Sequence, residues 1–267
     1  MFCYTARLEL LTLLCCGMLW AAETQAHNSQ VGLAYPIQDV QVDGDLTDWP
    51  TSRAKIPITR PEHGAEPRSP EDFQAFFSLG YNKAENALYL AVEVQDESIA
   101  IDSTSAATWN NQDGFELYLD LAHGLEHSTA VQYFIYGDKS IEAAEQGERL
   151  VDLKWQRQDQ RHVYECRLDL AGLGKLKQIQ VRPGTTLGLD LAVCDMDADG
   201  SFSWMTWGKH VDKRSAVDRR GDVVLLQEGA TTGVISGHIR QQGSSAGGSW
   251  CRQDGRRWHG SPPKCMA

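Results

Sequence analysis

The chain has 267 residues, of which 42% are hydrophobic, and its formal net charge at pH 7 is −11. A chain of this length can bury a substantial core, whereas its negative charge repels phosphate backbones and argues against nucleic acid as a partner. The sequence contains no G-x-S-x-G elbow, no H-E-x-x-H motif and no Gly-rich phosphate loop. No two carboxylates stand out as the acid and base of a glycosidase. We therefore predict a protein that is not an enzyme.

The first 26 residues have the organisation of a secretory signal peptide. Arg7 precedes an apolar run over residues 8–20, and Ala26 is a small residue at the expected cleavage position. The run is too short to span a bilayer comfortably, and no later stretch is long and apolar enough to do so. We predict cleavage after Ala26, a secreted or periplasmic location, and no membrane span in the mature chain.

Alternation with a period of two dominates residues 35–228 and predicts a single, all-β domain folded as an antiparallel β-sandwich. The first two predicted strands are joined by "GYNKAENA", whose Gly and Asn residues favour a hairpin. Their apolar faces consist of Phe73, Ala75, Phe77 and Leu79, and of Leu88, Leu90, Val92 and Val94. Further strands are predicted at residues 115–121, 131–136, 151–155, 163–168, 187–193 and 222–226.

The stretch "WNNQDGFELYLD" combines a large aromatic residue, Trp109, with a polar run and a strand. Alternation places Phe115, Leu117 and Leu119 on one face of that strand, and Glu116, Tyr118 and Asp120 on the other. Sugars present apolar C–H faces and a rim of hydroxyls, so a sugar site needs flat aromatic area with hydrogen-bonding groups at its edge. "WNNQ" and "WMTWGKH" both offer this combination. We therefore favour a ligand platform over core packing for Trp109 and Trp207.

The stretch "AHGLEHS" places His123 and His127 four residues apart. This spacing would suit a metal site on one face of a helix, but the glycine and the neighbouring strands argue against a helix there. We therefore predict that both histidines lie in a loop and are exposed to solvent.

The stretch "CDMDADGSFSWMTW" begins like a calcium-binding loop. Asp195, Asp197 and Asp199 are followed by Gly200, which matches the D-x-D-x-D-G opening in which alternate carboxylates converge on the ion. The match fails at the closing position, where Thr206 replaces the bidentate Glu. Three interpretations stay open: calcium bound by these aspartates, calcium bound by a different set of ligands, and an acidic turn without metal.

The last segment, residues 240–267, is rich in Gly, Ser, Arg and Pro and has almost no aliphatic residue, so we predict a disordered tail. After removal of the leader, four cysteines remain, which permit three pairings. Cys166 and Cys194 lie on predicted strands and Cys251 and Cys265 in the tail, so pairing within each set is favoured. A lipoprotein anchor at a leader cysteine is less favoured, because the preceding residues are larger than such a motif prefers.

Five motifs in chain order resemble those of family 9 carbohydrate-binding modules and their relatives. They are "VDGDLTDWP", "YNKAENALYLAVEVQDESI", "WNNQDGFELYLD", "DMDADGSFSWMTWG" and "GDVVLL", and the likeness covers residues 38–227. The resemblance implies a jelly-roll-like β-sandwich that binds glycan ends or small sugars, often with structural calcium. Such domains are commonly accessory to xylanases or serve as sensors, so a hydrolase or a sensor kinase is an implied partner.

The resemblance also implies a site, in which two tryptophans clamp a sugar ring and a carboxylate assists them. The first tryptophan matches Trp109, the carboxylate matches Glu116, and the second tryptophan matches Trp207 or Trp204. The polar residues after Trp109, including Asn111, then serve as partners for sugar hydroxyls.

A rival interpretation comes from sandwich domains related to the DOMON group, which bind haem through axial His or Met ligands. The candidates here are His210 together with Met205 or Met196. The sequence also permits a sensory or interaction domain whose sugar site has decayed, and it permits a glycan hydrolase.

Overall fold

The structure is a computed structural model that describes residues 27–101, 111–121, 123, 130–142, 151–170, 180–230, 240–241 and 244–245. Its strands in chain order are β1 (Val31–Pro36), β2 (Ile56–Ile58), β3 (Arg60–Gly64), β4 (Phe73–Asn82), β5 (Ala87–Asp96), β6 (Gly114–Asp120), β7 (Val131–Tyr136), β8 (Lys139–Glu142), β9 (Val151–Gln158), β10 (Arg161–Asp169), β11 (Thr186–Met196), β12 (Phe202–Thr206), β13 (Gly221–Leu225), β14 (Arg240–Gln241) and β15 (Ser244–Ser245). Two short 3-10 helices lie at Leu46–Asp48 and Val217–Arg219. Within the described residues, no helix is long and apolar enough to cross a membrane.

Strands β1 to β13 form a hydrogen-bonded network that folds into two layers around a common core. The main path runs β8-β7-β6-β11-β13-β1-β4-β5-β10-β9, with β12 added to β11, β3 added to β12, and β2 added to β4. The apolar faces of β4 and β5 meet those of β6 and β11 in one large cluster of buried side chains. This is the predicted β-sandwich.

Strand β1 joins the two layers. Its first residues, from Val31 to Ala34, pair with β13, and its last residues, from Ala34 to Pro36, pair with β4. Both pairings are parallel, whereas the other ladders among the described strands are antiparallel. The sandwich therefore departs at one strand from the antiparallel pattern predicted from the sequence, and β1 begins four residues before the predicted start at Tyr35.

The period-two pattern that predicted the first hairpin is confirmed by the packing. β4 and β5 pair antiparallel along their whole length, so that Phe77 lies opposite Val92 and Leu79 opposite Leu90. All four of these side chains are in the core. The connecting turn is held by the side chain of Asn82, whose Oδ1 accepts hydrogen bonds from two backbone amides of the turn.

The expected bridge between Cys166 and Cys194 is wrong, because both residues are free and buried. Cys166 lies on β10 in the central core. Cys194 lies on β11 and belongs to a separate small cluster that also contains Trp204. The two strands are not neighbours in the sheet. Cys251 and Cys265 lie outside the described residues.

Candidate functional site

The outer surface of β6 carries the polar residues that the sequence places opposite the core. Phe115, Leu117 and Leu119 point into the core, so that Glu116 and Tyr118 point to the outer surface. The two-faced pattern predicted for this strand is therefore confirmed. We call the surface formed by the outward side chains of β6, β7, β11 and β12 the outer face.

Glu116 is the centre of a hydrogen-bonded network on the outer face. Its Oε2 accepts a hydrogen bond from the Tyr118 hydroxyl and another, 2.9 Å long, from Nε2 of Gln132 on β7. The same Nε2 lies 3.2 Å from the Tyr118 hydroxyl oxygen. Burial raises the pKa of Glu116, and the two hydrogen bonds act in the opposite direction. The network fixes the orientation of a buried carboxylate that can accept hydrogen bonds from a ligand.

The two candidate second tryptophans lie on opposite sides of the sheet. Along β12, Phe202, Trp204 and Thr206 alternate with Ser203 and Met205, and Trp204 pairs with Cys194 of β11. Trp204 therefore shares the outer face with Glu116, which lies opposite Ala192 on the same neighbouring strand. Trp204 is only 5% exposed and contacts Ala192, Cys194 and Phe202.

Trp207 lies in the core, and the expectation that its indole faces a sugar is wrong. The residue is 4% exposed, and its ring meets Phe77 edge to face with the ring centres 5.1 Å apart. Gly221 and Gly32 leave room for the ring, since a Cβ atom added at Gly221 would lie 2.5 Å from it. Met205 and Trp207 belong to the inward set of "SFSWMTW", which leaves Trp204 as the outward tryptophan of this segment.

The remaining residues of the predicted clamp are only partly covered by the structure. Trp109 and Asn110 lie outside the described residues. Asn111 is described and exposed, and it precedes the buried pair Gln112 and Asp113 at the entrance to β6. The sequence motifs do not identify Gln132 or Tyr118 as site residues, although both contact Glu116. For Tyr118, the signal is its position two residues after Glu116 on the outward side of β6.

Three buried carboxylates lie close together near the first residue of β6. Asp96 ends β5, Asp113 precedes β6, and Asp195 lies near the end of β11, and their oxygens lie within 4.8 Å of one another. All three are at most 2% exposed. Burial raises their pKa values to about 7, 8 and 8, respectively. We call these three residues the acidic cluster.

Some oxygens of the acidic cluster accept hydrogen bonds from backbone amides, whereas others accept no hydrogen bond from the described residues. Asp113 accepts from the amides of Met196, at 2.7 Å, and Ala100. In contrast, Oδ2 of Asp96 and Oδ1 of Asp195 are buried and accept no hydrogen bond from the described residues. Buried oxygens of this kind are costly unless a cation or a proton neutralises them.

A second group of carboxylates lies beside the acidic cluster. It consists of Asp72, Glu97 and Asp197, whose oxygens again lie within 4.8 Å of one another. Oδ1 of Asp197 is buried and also lacks a hydrogen bond from the described residues. Hard cations such as calcium bind six to eight oxygens, which are largely carboxylates and carbonyls. The two groups together therefore fit calcium by their chemistry.

The aspartates of the predicted calcium loop are not brought together. Asp195 joins the acidic cluster and Asp197 joins the second group, whereas Asp199 is exposed and pairs with Arg68 at 2.9 Å. The separation follows from the turn after β11, which continues the chain into β12 through Gly200 at a φ of +88°. Asp96 and Asp113, which no sequence motif identifies as ligands, come from "VQDES" and "NQDGF", each at the end of a strand.

The haem interpretation gains no support from the geometry. Met205 is buried in the core, whereas His210 is exposed and binds Glu62 only through its backbone amide at 3.0 Å among the described contacts. Met196 is the last residue of β11 and pairs with Phe202, which lies three residues before Met205 on β12.

The fold and the outer face define a class of protein. It is a β-sandwich that carries an outward tryptophan and a hydrogen-bonded carboxylate on one sheet, beside a cluster of three buried carboxylates. The chain belongs to the family described as carbohydrate family 9 binding domain-like, whose model matches residues 42–228.

Solved structures support the assignment of the fold. A family 9 carbohydrate-binding module from Caldicellulosiruptor kristjanssonii in complex with cellotriose matches at 16% identity, with a TM-score of 0.60, over 78% of this chain and 100% of that one. The glucose complex of a family 9 module from the same organism matches at 18% identity, with a TM-score of 0.59 and the same coverage. A candidate carbohydrate-binding protein from Bacteroides uniformis matches at 9% identity, with a TM-score of 0.52, over 73% of this chain and 99% of that one. No curated protein matches the chain.

Proposed function

We propose that the chain is a non-catalytic carbohydrate-binding domain that binds a sugar on the outer face, next to Glu116. The observation that carries this proposal is the buried Glu116 carboxylate, oriented by Tyr118 and Gln132, on the same face as Trp204. It is supported by the membership of the family and by the cellotriose and glucose complexes of similar structures.

The dimensions of the outer face suit one sugar unit. Glu116 and Trp204 are two strands apart and two residues apart along the sheet, which corresponds to roughly 12 Å between their backbones. In the proposed complex, the carboxylate accepts hydrogen bonds from ring hydroxyls. Trp109 stacks on the ring, Trp204 borders the opposite side in place of Trp207, and Asn111 binds hydroxyls at the rim.

Calcium at the acidic cluster is part of the proposal. Asp113 of the cluster lies directly before Gly114, so the cluster holds the residues that lead from Asn111 into β6. An ion there would neutralise the buried carboxylates and fix the entrance of the strand that carries Glu116. Its role in the proposal is structural.

The leader and the resemblance support a biological setting for the proposal. We place the protein outside the cytoplasm, after cleavage of residues 1–26, where it assists glycan degradation of the xylan type or reports sugars to a sensor. A hydrolase or a sensor kinase is the corresponding partner.

The proposal is tested by calorimetric titration of the calcium-loaded protein with glucose, cellotriose and xylotriose. We expect at least one of the three to bind. Glu116→Gln should weaken that binding at least tenfold, because hydrogen bonds to a charged group contribute about 1.5–3 kcal/mol. Glu228→Gln, an exposed glutamate outside the outer face, is the matched control and should bind like the unmodified protein. Failure of all three sugars to bind, or unchanged affinity in Glu116→Gln, would contradict the proposed site.

A further inference from the structure

Two histidines and an aspartate lie close together near the last residue of β6, at the opposite end of that strand from the acidic cluster. Nδ1 of His27 and Nε2 of His123 each lie 3.1 Å from the same oxygen, Oδ1 of Asp222. The two imidazole rings are 5.0 Å apart and meet edge to face. Contrary to the exposed position predicted from the sequence, only 13% of the His123 side chain is exposed, and His127 lies outside the described residues.

The three residues come from separate parts of the chain, and the fold holds both Asp222 and the segment that carries His27. Asp222 lies in β13, and its backbone amide donates to the carbonyl of Gln30. Asn28, next to His27, donates from its backbone to the carbonyl of Arg220 at 3.2 Å and from its side chain to Asp190 at 2.7 Å. His27 is therefore anchored against the domain.

The spacing of the three ligand atoms matches that around a small metal ion. Two atoms that bind one ion at about 2.0–2.1 Å, with an angle of about 90–110° between them, lie about 2.8–3.4 Å apart. Both nitrogen–oxygen distances fall in this range, and all three ligand atoms lie within 4.8 Å of one another. Two imidazoles and one carboxylate suit zinc, copper and nickel far better than calcium.

The predicted cleavage after Ala26 would add a fourth ligand, which His27 itself supplies. Cutting after Ala26 would make His27 the first residue of the mature chain, with a free α-amine beside its own Nδ1. An amine and an imidazole of one residue bind an ion together as a chelate, and a set of three nitrogens and one oxygen suits tetragonal copper(II). Copper(II) also stands above zinc in the general order of affinities of divalent ions.

We infer that His27, His123 and Asp222 form a transition-metal site that binds copper(II) in the mature chain, with the α-amine of His27 as an additional ligand. The site is separate from the proposed sugar site. Asp222 lies opposite Gly188, which in turn lies opposite Asp120 of β6. Asp120 is four residues along β6 from Glu116. The copper site therefore does not depend on carbohydrate binding.

The test is a titration with copper(II). Excess calcium is present throughout, so that the acidic cluster is occupied by a harder ion. Affinity is measured by competition with a chelator, and the ligands are read from the electron paramagnetic resonance spectrum. His123→Gln and Asp222→Asn should each weaken copper binding at least tenfold and change the spectrum. His210→Ala, which removes an exposed histidine outside the cluster, is the control and should leave both unchanged.

The role of the amine is tested by comparing the chain that begins at His27 with the same chain acetylated at its α-amine. The first should bind copper(II) at least tenfold more tightly. Equal affinity in the two would overturn the amine as a ligand. Equal affinity in His123→Gln and the unmodified protein, or a spectrum without nitrogen ligands, would overturn the site. Melting curves without copper show whether each variant is folded, and His27→Gln provides a second variant of the same ligand set if Asp222→Asn does not fold.

Discussion

The two ends of β6 both bury carboxylates, but they compensate the charge in different ways. At the far end, Asp120 pairs with Arg220 at 2.7 Å and Asp190 pairs with Lys213 at 3.2 Å, and all four side chains are almost completely buried. We call these residues the paired end. At the near end, the acidic cluster has three carboxylates, and none of its contacts within the described residues is with a basic side chain.

The comparison teaches what each end requires from its surroundings. A buried charge is stable only when it is paired and hydrogen-bonded. The paired end meets this condition with its own lysine and arginine, and Lys213 donates to the carbonyls of Gly208 and Lys209 as well. The acidic cluster does not, so it must take up protons or bind a cation from solution.

The largest expected effect is at the paired end. Lys213→Met should lower the free energy of unfolding by about 3–5 kcal/mol, because it leaves Asp190 buried without its partner. Burial already raises the pKa of Asp190 to about 6, and removal of the lysine should raise it further. Urea denaturation at pH 7 measures the change. Lys154→Met, at an exposed lysine 3.7 Å from Asp138, is the control and should change stability by less than about 0.5 kcal/mol. A loss below about 1 kcal/mol in Lys213→Met would refute the idea that this pair is needed.

The next effect is that of calcium on the acidic cluster. An ion that binds only the folded chain stabilises it by about 2.7 kcal/mol at a hundredfold excess over its Kd. We therefore expect the urea midpoint to rise in calcium and to fall back on addition of a chelator. Asp113→Asn should abolish most of this response, whereas Lys213→Met should keep it. Identical midpoints in calcium and in chelator would show that the cluster binds no structural calcium.

A smaller effect concerns pH in the absence of calcium. The pKa of Asp113 is about 8 in the folded protein, against about 3.9 for an unperturbed aspartate. The folded state therefore holds more protons than the unfolded state between these values, and stability falls as pH rises through that window. The slope should be at most about 1.4 kcal/mol per pH unit for each proton involved.

The pH effect separates the two ends when it is measured by urea denaturation from about pH 5.5 to about pH 8.5. Asp190 contributes only in the lower part of this range, because its pKa is about 6. In chelator, stability should still fall between about pH 6.5 and about pH 8.5, and Asp113→Asn should reduce that fall. In calcium, the fall should disappear, since the ion binds the deprotonated carboxylates. A flat profile in chelator would mean that the cluster is neutralised by some other group.

Much of the fold was predictable because alternation is a local signal. The core faces of β4, β5 and β6 follow directly from residues two apart, such as Phe77 and Leu79. Strand β12 was not predicted, since "DMDADGS" suggested a metal loop where the structure has a turn between two paired strands. The assignment of Trp207 fails for the same reason: once β12 is a strand, its parity places Trp204 outward and Trp207 inward.

The sites were less predictable because they join residues that are distant in sequence. Glu116 could be identified from one strand and a family motif. The acidic cluster, in contrast, combines Asp96, Asp113 and Asp195, and only the ends of three strands bring them together. The pairing of Asp222 with His27 and His123 likewise depends on β1 lying beside β13, a parallel contact that local patterns do not reveal.

The smallest expected effect distinguishes the acidic cluster from the calcium loop that the sequence suggested. Asp199 is exposed, and its pKa is lowered by hydrogen bonds from Ser201 and from Arg68, so it already has partners outside the cluster. Asp199→Asn should therefore leave the melting temperature and its increase in calcium unchanged. Asp195→Asn removes a buried carboxylate of the cluster and should abolish most of the increase. Thermal denaturation of both variants, with calcium and with chelator, provides the comparison. If Asp199→Asn instead removes the calcium response, the ion binds the D-x-D-x-D-G loop, and the contrast between the two ends of β6 no longer explains where calcium acts.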